Sequence, residues 1–226
     1  MKFVKKSLIP PSVPKDSMKK SICGHSIYEY KISDVLLNTT LKNVKKLDFG
    51  TDLNKYTSNN RFIFENQEFL ELKNFCLEKI SSIYQKYYDL GKIQITQSWA
   101  NKSDKGQWHH PHYHSNSLIS MILHLTDSDA YTWFSVKNIW YEPFSLLNID
   151  VLGLDKDSIS KTHIIHKEKS TAGKLMIFPS VLYHSVDENN SVEPRYSISC
   201  NTFIEGDLGD VLRLTYVNIP NIHEKT

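Results

Sequence analysis

The run Trp108-His109-His110-Pro111-His112-Tyr113-His114 places four of the ten histidines of this 226-residue chain within six residues. In extended backbone, successive side chains alternate between two sides, so His110, His112 and His114 are predicted to point the same way. Each imidazole ring also needs hydrogen-bond partners, and packing alone does not explain three such rings on one side. The run therefore indicates a metal site, with a surface cluster of histidines as the alternative.

A metal held by histidines of one strand needs a further ligand from a distant strand. His184 is the best candidate, because it follows the strand and turn of residues 175–180. Farther along, Arg195 and Ser197 are spaced to share one face of a strand. A guanidinium beside a hydroxyl suits a bidentate contact to a carboxylate, although a surface salt bridge also accounts for Arg195 taken by itself.

The composition is that of an ordinary globular protein, with 40% hydrophobic, 12% aromatic and 23% charged residues and a formal net charge of +2. Outside the N-terminal region the lysines are scattered, which disfavours nucleic-acid binding. Cys23, Cys76 and Cys200 are too widely separated to indicate a disulfide framework or a zinc knuckle. Since there is also no export signal or apolar run long enough to span a membrane, we expect a cytoplasmic protein.

Two helices are predicted in the first half of the chain, within residues 34–91. Ser33 is typical of a helix N-terminus, and apolar residues at helical spacing follow it. A second helical pattern begins near Asn66 and ends at Gly91. Before them, residues 1–25 are rich in proline and lysine, which is typical of an extended lead-in.

After the second helix, the pattern changes to short β-type runs. They cover residues 93–100, 118–125, 131–136, 162–166, 174–178 and 196–204. Helices followed by many short strands predict an α+β protein, with a β core over residues 93–217 in a single domain of residues 26–226. The expected architecture is a double-stranded β-helix, that is, a jelly-roll or cupin-like core supported by N-terminal helices. The histidine run is expected at the mouth of its strand, residues 118–125.

Four motifs follow one another in this half of the chain. They are His-x-His ahead of a strand, Gly-Lys-Leu-x-x-Phe-Pro, a single histidine, and Arg-x-Ser. This order resembles the Fe(II)- and 2-oxoglutarate-dependent oxygenases. A closer resemblance is to an uncharacterised oxygenase family of marine phages and bacteria, related to prolyl hydroxylases. It is carried by residues 98–101 (SWAN), 112–120 (HYHSNSLIS), 173–180 (GKLMIFPS) and 184–186 (HSV).

The resemblance covers about residues 95–205 and implies a role for each motif. His112, His114 and His184 would bind Fe(II), and Arg195 with Ser197 beside it would anchor the distal carboxylate of 2-oxoglutarate. One departure from the superfamily is His114, which stands where most members have a carboxylate. Three histidines still leave three positions for the keto acid and dioxygen, but the site loses one negative charge.

Several alternatives stay open for the site. The ligand pair is His112 and His114, or His110 and His112 with the same spacing, while His109 has a weaker claim. A carboxylate from elsewhere in the chain is a further alternative, and the candidates are Asp104, Asp127 and Asp129. His124 alternates with its strand neighbours and either lines the cosubstrate pocket or packs in the core.

The implied activity is that of a dioxygenase that hydroxylates an unidentified substrate. A prolyl or other protein side chain is the first expectation, with an amino acid, a metabolite or a modified base left open. Residues 137–161 lie between the two ligand regions, where a substrate-recognition loop is expected. The alternatives are a non-catalytic cupin-like binding protein and a zinc hydrolase with three histidine ligands, which would not need Arg195 and Ser197. The oligomeric state, a homodimer included, is open, and the cytoplasm would be that of the host if a phage encodes the chain.

Overall fold

The computed structural model describes residues 18–22, 25–52, 54–88, 91–136 and 163–222. Within these residues the protein is mostly β-sheet, with two α-helices, α1 (Asp34–Val44) and α2 (Leu70–Tyr87). The strands in chain order are β1 (Met18–Ile22), β2 (His25–Lys31), β3 (Phe49–Asp52), β4 (Lys55–Ser58), β5 (Lys92–Ser103), β6 (His109–His112), β7 (Ile119–His124), β8 (Tyr131–Val136), β9 (His163–Lys169), β10 (Lys174–Pro179), β11 (Tyr183–Val186), β12 (Arg195–Leu208) and β13 (Val217–Ile219).

The strands form two antiparallel sheets. The larger has the order β1-β2-β10-β7-β12-β5-β4-β3, and β13 pairs with the far end of β12. The smaller has the order β6-β11-β8-β9. In both sheets some neighbouring strands are distant in sequence, such as β10 beside β2 and β11 beside β6, so residues far apart along the chain come side by side.

Both predicted helices are present. The hydroxyl of Ser33 accepts a hydrogen bond from the backbone N–H of Leu36 at 3.2 Å, which confirms the predicted N-terminus of α1. Helix α2 begins at Leu70, later than predicted, because two 3₁₀ turns, Ile63–Glu65 and Gln67–Phe69, precede it. In the described part of the chain, neither helix is both long and apolar enough to cross a membrane.

Two features of the N-terminal half differ from the expectation. Strand β1 lies within the segment expected to be an extended lead-in, and it pairs with β2. The hairpin of β3 and β4 interrupts the expected helical region and extends the large sheet beyond β5. These short strands carry mainly polar or small residues, so they lack the apolar alternation by which a strand is detected.

The large sheet has two unlike faces. On β12, Ile198 and Cys200 point to the side covered by α1 and α2, where they join the main apolar core. The alternate residues, Ser197 and Ser199, line a cavity on the other side, which faces the small sheet. A second, smaller core lies between the two sheets and contains Ile27, Ile122, Phe134, Met176, Phe178 and Leu182.

Candidate metal and cosubstrate site

A polar cavity lies between the two sheets, beside the smaller apolar core. The large sheet contributes residues from β4, β5, β7 and β12, among them His124 of β7. The other lining histidines come from β6, β11 and the residues after β6. The lining residues are Lys55, Trp99, Asn101, Ser103, His109, His112, His114, Ile122, His124, His184, Val186, Arg195, Ser197 and Ser199.

Three of these histidines converge. His112, His114 and His184 each offer one ring nitrogen, and these three nitrogens all lie within 4.8 Å of one another. The Nε2 atoms of His114 and His184 are 3.3 Å apart. His112 stands opposite His184 in the pairing of β6 with β11, and their ring centroids are 4.3 Å apart. Sheet pairing therefore brings the sequence-distant His184 to the histidine run.

Backbone hydrogen bonds fix the tautomer of two of these rings. The Nδ1 atom of His112 donates to the carbonyl of His110 at 2.9 Å, and that of His184 donates to the carbonyl of Leu182 at 3.0 Å. Nε2 is then the unprotonated nitrogen of each neutral ring, as in many metal-ligating histidines.

The electrostatics favour neutral rings as well. Burial lowers the pKa of His112 to about 4 and that of His114 to about 4, and it holds the pKa of His184 well below its usual value. All three are therefore neutral at neutral pH. A set of neutral imidazole nitrogens fits a divalent metal such as Fe(II) or Zn(II).

The histidine run is not a regular strand. His112 pairs with His184, and His109 pairs with Val186. Two residues of β6 lie between these pairings, but only one residue of β11 does. Such a bulge shifts the alternation by one residue. As a result His109, rather than His110, lines the cavity beside His112, with ring centroids 4.2 Å apart. His110 was predicted to face the same way as His112 and His114, but it does not line this cavity. One of its ring nitrogens nevertheless lies within 4.8 Å of nitrogens of His109 and His112, so the choice of ligand pair stays a prediction.

The candidate carboxylates are engaged elsewhere. Asp127 accepts a hydrogen bond from the backbone N–H of Ala172 at 3.0 Å, and Asp104 pairs with Lys102 at 3.2 Å. Asp129 accepts a long bond of 3.5 Å from the neighbouring Ser128 hydroxyl. Among the described residues, the group formed with His184 contains histidines alone.

Arg195 lies at the other end of the cavity. It is buried, and its guanidinium donates to the carbonyl of Asp187 at 2.9 Å and, at 3.4 Å, to the hydroxyl of Ser103. Burial lowers the pKa of Arg195 to about 10, so the group is still charged at neutral pH. Both acceptors are uncharged, so neither of these two bonds pairs the guanidinium with a carboxylate. A buried cation of this kind is suited to an anionic ligand.

His124 stands beside this cation. It pairs with Ser197 across β7 and β12, and it is 2% exposed. Both of its ring nitrogens are buried, and neither has a hydrogen-bond partner in the part of the chain that the structure describes. Burial, and then the charge of Arg195, lowers its pKa to about 3. Since an unpartnered buried polar ring is costly, its place on the cavity wall favours contact with a ligand over a core role.

Four polar residues of the cavity were not predicted, namely Lys55, Asn101, Ser103 and Ser199, and the first two differ in whether the sequence could have indicated them. Asn101 lies two residues after Trp99 on β5, so strand alternation would have placed both on one face. Lys55 comes from the unpredicted hairpin and carries no sequence signal. Residues 137–161, where a substrate loop was expected, lie outside the described residues.

A second cavity of ≈ 380 Å³ is lined by residues that neighbour His114 in the chain or contact it. Ser115 and Asn116, which follow His114, line it, and so does Asn201, whose side chain is hydrogen-bonded to His114. Its walls combine amide and hydroxyl groups with a few apolar side chains. The lining residues are Gln94, Thr96, Gln97, Ser115, Asn116, Asn201, Phe203, Ile219 and Ile222.

Comparison with solved structures defines the class of fold. HygX from Streptomyces hygroscopicus, solved with nickel, 2-oxoglutarate and hygromycin B, has a TM-score of 0.56 at 8% identity, covering 78% of this chain and 82% of its own. The α-ketoglutarate-dependent epimerase SnoN from nogalamycin biosynthesis has a TM-score of 0.59 at 10% identity, covering 78% of each chain. A Pseudomonas putida prolyl-4-hydroxylase has a TM-score of 0.51 at 11% identity, covering 80% and 92%. At these identities the likeness establishes the fold alone, which is that of the 2-oxoglutarate-dependent non-haem oxygenases.

Comparison of the sequence with protein-family models indicates a narrower class of protein. Residues 97–201, just under half of the chain, match the model of a family described as "Putative 2OG-Fe(II) oxygenase". No curated protein matches the chain in sequence. The matched segment includes the three converging histidines and Arg195. The resemblance to the Fe(II)- and 2-oxoglutarate-dependent oxygenases is therefore confirmed.

Proposed function

We propose that this protein is an Fe(II)- and 2-oxoglutarate-dependent dioxygenase that hydroxylates a protein side chain, with a prolyl ring as the first candidate. One observation carries the proposal. Three neutral histidines converge at one end of a cavity whose other end holds the buried Arg195 guanidinium. A binding site for a metal and a binding site for a carboxylate thus share one cavity, which is what a metal-chelating keto acid requires. The matched family and the shared fold support the same conclusion, with a double-stranded β-helix as the core.

Each residue has a definite part in this proposal. His112, His114 and His184 hold Fe(II) through their Nε2 atoms. Arg195 and Ser197 bind the distal carboxylate of 2-oxoglutarate, and His124 offers a ring nitrogen to it. When bound, iron and 2-oxoglutarate supply the activation of dioxygen, coupled to decarboxylation of the keto acid to succinate.

The protein also contributes an apolar wall that packs against His184. The rings of Phe178 and Phe134 pack against that of His184, with centroids 4.9 and 6.2 Å away. Both phenylalanines are buried in the core between the sheets. They fix the orientation of His184 and keep water from its far side, which strengthens electrostatic interactions in the cavity.

The second cavity supports a peptide as the primary substrate. Its amide side chains both donate and accept hydrogen bonds, as a peptide backbone does, and its described lining contains no ionised side chain. Asn201, which lines it, is hydrogen-bonded to His114, whereas Arg195 lies six residues, or three two-residue strand repeats, before Asn201 on β12. A substrate there reaches the histidines without displacing the cosubstrate from Arg195.

The setting is proposed to be a reducing cytoplasm, that of the host if a phage encodes the chain. Cys76 and Cys200 are buried free thiols in the described structure, and Fe(II) is retained most readily under reducing conditions. We also propose that residues 26–226 act as a single domain.

The proposal is tested by an anaerobic titration of the purified protein with Fe(II) and then with 2-oxoglutarate. A chelated iron–keto-acid pair should give a visible charge-transfer absorption that neither component gives alone, and succinate release then allows candidate peptides to be compared. If iron binds but no absorption develops, the protein is a metal-binding module or a zinc hydrolase instead.

A further inference from the structure

A buried lysine from the β3–β4 hairpin reaches the cavity wall. Lys55 is 4% exposed, and its Nζ donates to Asp52 Oδ2 at 2.9 Å, to Thr57 Oγ1 at 2.7 Å and to Asn101 Oδ1 at 2.9 Å. An ammonium group has three protons, and these three bonds use all of them. Lys55 therefore influences the cavity through the groups that it holds.

The group of interest is Asn101. A lysine can only donate, so the Asn101 atom that faces Lys55 is the amide oxygen, and the NH₂ group is directed away from it. That NH₂ group lies 3.5 Å from the Ser199 hydroxyl, at the limit of a hydrogen bond, so its hydrogen-bonding capacity is barely used there. Asn101 is only 7% exposed, and an amide donor that is buried and poorly bonded favours a ligand.

The position of Asn101 indicates which ligand that is. On β5 it follows Trp99, whose ring stacks on His114 with centroids 5.7 Å apart, and it precedes Ser103, which contacts Arg195. On the neighbouring β12 it stands opposite Ser197. Asn101 thus lies between the histidines and the guanidinium, alongside the path that a keto acid spanning them would take.

We propose that Asn101 donates a hydrogen bond from Nδ2 to a carboxylate oxygen of 2-oxoglutarate, and that Lys55 is a positioning residue that fixes the amide in this orientation. This inference rests on the proposed function. It adds a donor from β5 and a supporting cation from an N-terminal hairpin that lies outside the matched segment of residues 97–201.

The decisive variant is Asn101→Asp. Aspartate has the shape of asparagine and keeps an oxygen for Lys55, but it replaces the NH₂ donor by a second, negatively charged oxygen. Binding of 2-oxoglutarate to the Fe(II)-loaded protein is measured by anaerobic calorimetry, together with metal content and the melting temperature. The expected result is 2-oxoglutarate binding about 100-fold weaker, with unchanged metal content, because a donor to a charged group is lost and a repulsive charge is gained.

A purely structural role predicts the reverse. The introduced carboxylate would form an ion pair with Lys55, so the variant would be at least as stable as the parent and would bind 2-oxoglutarate as before. An affinity within about twofold of the parent overturns the inference. The control is Asn43→Asp on α1, which adds the same charge on the opposite side of the large sheet and should leave the affinity unchanged.

Lys55→Met tests the positioning role. Without the lysine the amide is free to turn, and about a tenfold loss of 2-oxoglutarate affinity is expected. In the Asn101→Ala background the same change should have little further effect, since the two residues act together. Equal losses in both backgrounds would contradict the positioning role, and if Lys55→Met does not fold, Thr57→Val disturbs the same network more mildly.

The parent protein separates this inference from the proposed function. If the metal-loaded parent binds no 2-oxoglutarate, the proposed function fails and this inference fails with it. If the parent binds and Asn101→Asp binds equally well, the inference alone is wrong.

Discussion

Three groups of potential metal ligands occur among the described residues, and one of them, His109, His110 and His112, lies wholly within the histidine run. The other two join distant segments of the chain and can be compared. His112, His114 and His184 form one, and Glu29, His166 and Glu168 form the other. In each, three ligand atoms lie within 4.8 Å of one another among the described residues. By distance alone, the two groups are equivalent.

The two groups differ in whether the protein's own cations already neutralise the ligand atoms. Although burial raises the pKa of Glu168, hydrogen bonds from Lys20, Lys174 and His166 lower it to about 2. Lys174 lies 3.1 Å and His166 2.5 Å from this carboxylate, and Lys20 bonds it as well. The centre of this group is therefore occupied by the protein's own cations.

The histidine group has no such internal partner among the described residues. Its imidazole rings are neutral, and the nearby Lys55 is bonded to Asp52, Thr57 and Asn101 instead. The comparison shows that convergence of ligand atoms is not sufficient for a metal site. The cluster must also be free of protein cations that would take the place of the metal. We therefore propose the histidine group as the metal site and interpret the second group as a structural ion network.

The largest effect is expected from removing a ligand of the histidine group. His184→Ala should weaken Fe(II) binding more than about 100-fold, since even loss of an outer hydrogen-bond partner of a ligand costs 10–100-fold. The matched change in the other group, His166→Ala, should leave metal binding intact. Metal content after anaerobic loading and desalting measures both, and equal metal content in the two variants would contradict the assignment.

A related pair of variants resolves the ligand register. His114→Ala should lose iron in the same assay, whereas His110→Ala should retain it, because His110 does not line the cavity. The opposite pattern would move the ligand pair to His110 and His112.

A smaller effect is expected at the other end of the cavity. Arg195→Ala should bind 2-oxoglutarate roughly 10- to 100-fold more weakly, as expected for hydrogen bonds to a charged group. Metal content should not change, because the guanidinium does not belong to the histidine group. Unaltered cosubstrate affinity in calorimetry would disprove the anchor assignment.

In the ion network, the expected effect is on stability. Glu168→Gln leaves Lys20 and Lys174 without their shared carboxylate and should cost about 1–3 kcal/mol, since both lysines are partly exposed. Because the folded pKa of Glu168 is lowered from 4.5, its contribution is present above about pH 4.5 and is lost as the pH falls toward 2. Urea denaturation of both proteins across this range measures the effect. A variant with the parent's stability and pH dependence would show that the network is not stabilising.

The smallest effect concerns His124, which is influenced by both regions. Its pKa is lowered from 6.5 to about 3, by burial first and then by the charges of Arg195 and Lys174. The unfolded chain therefore binds a proton that the folded chain does not, so this residue reduces stability as the pH falls below about 6.5. His124→Leu should make the decline of stability shallower, by up to one proton, between neutral pH and about pH 4.5. An identical pH dependence would mean that His124 is already protonated in the folded protein.

Much of the site was predictable because it depends on local order. Alternation along one strand put Arg195 and Ser197 on one face, and both line the cavity. Ser33 announced the start of α1, and residues 131–136 were predicted as the strand that β8 forms. Such patterns can be recognised in the sequence because helix caps and strand alternation involve residues that are close in the chain.

The rest depended on contacts between distant segments. The β6 bulge, which brings His109 rather than His110 into the cavity, arises from pairing with β11, and no feature of the run itself encodes that pairing. Lys55 was missed because its hairpin lacks an apolar pattern, although its burial is as complete as that of a core residue.

The sequence by itself determined the kinds of residue available for chemistry, namely a dense histidine run, one distant histidine and an arginine spaced with a serine. Only the tertiary structure decided which nitrogens meet, which carboxylates stay away, and that Asn101 turns its amide donor toward the cavity. The physical reason is that ligand geometry and burial are set by long-range strand pairing, whereas sequence patterns report only the few residues that surround each position.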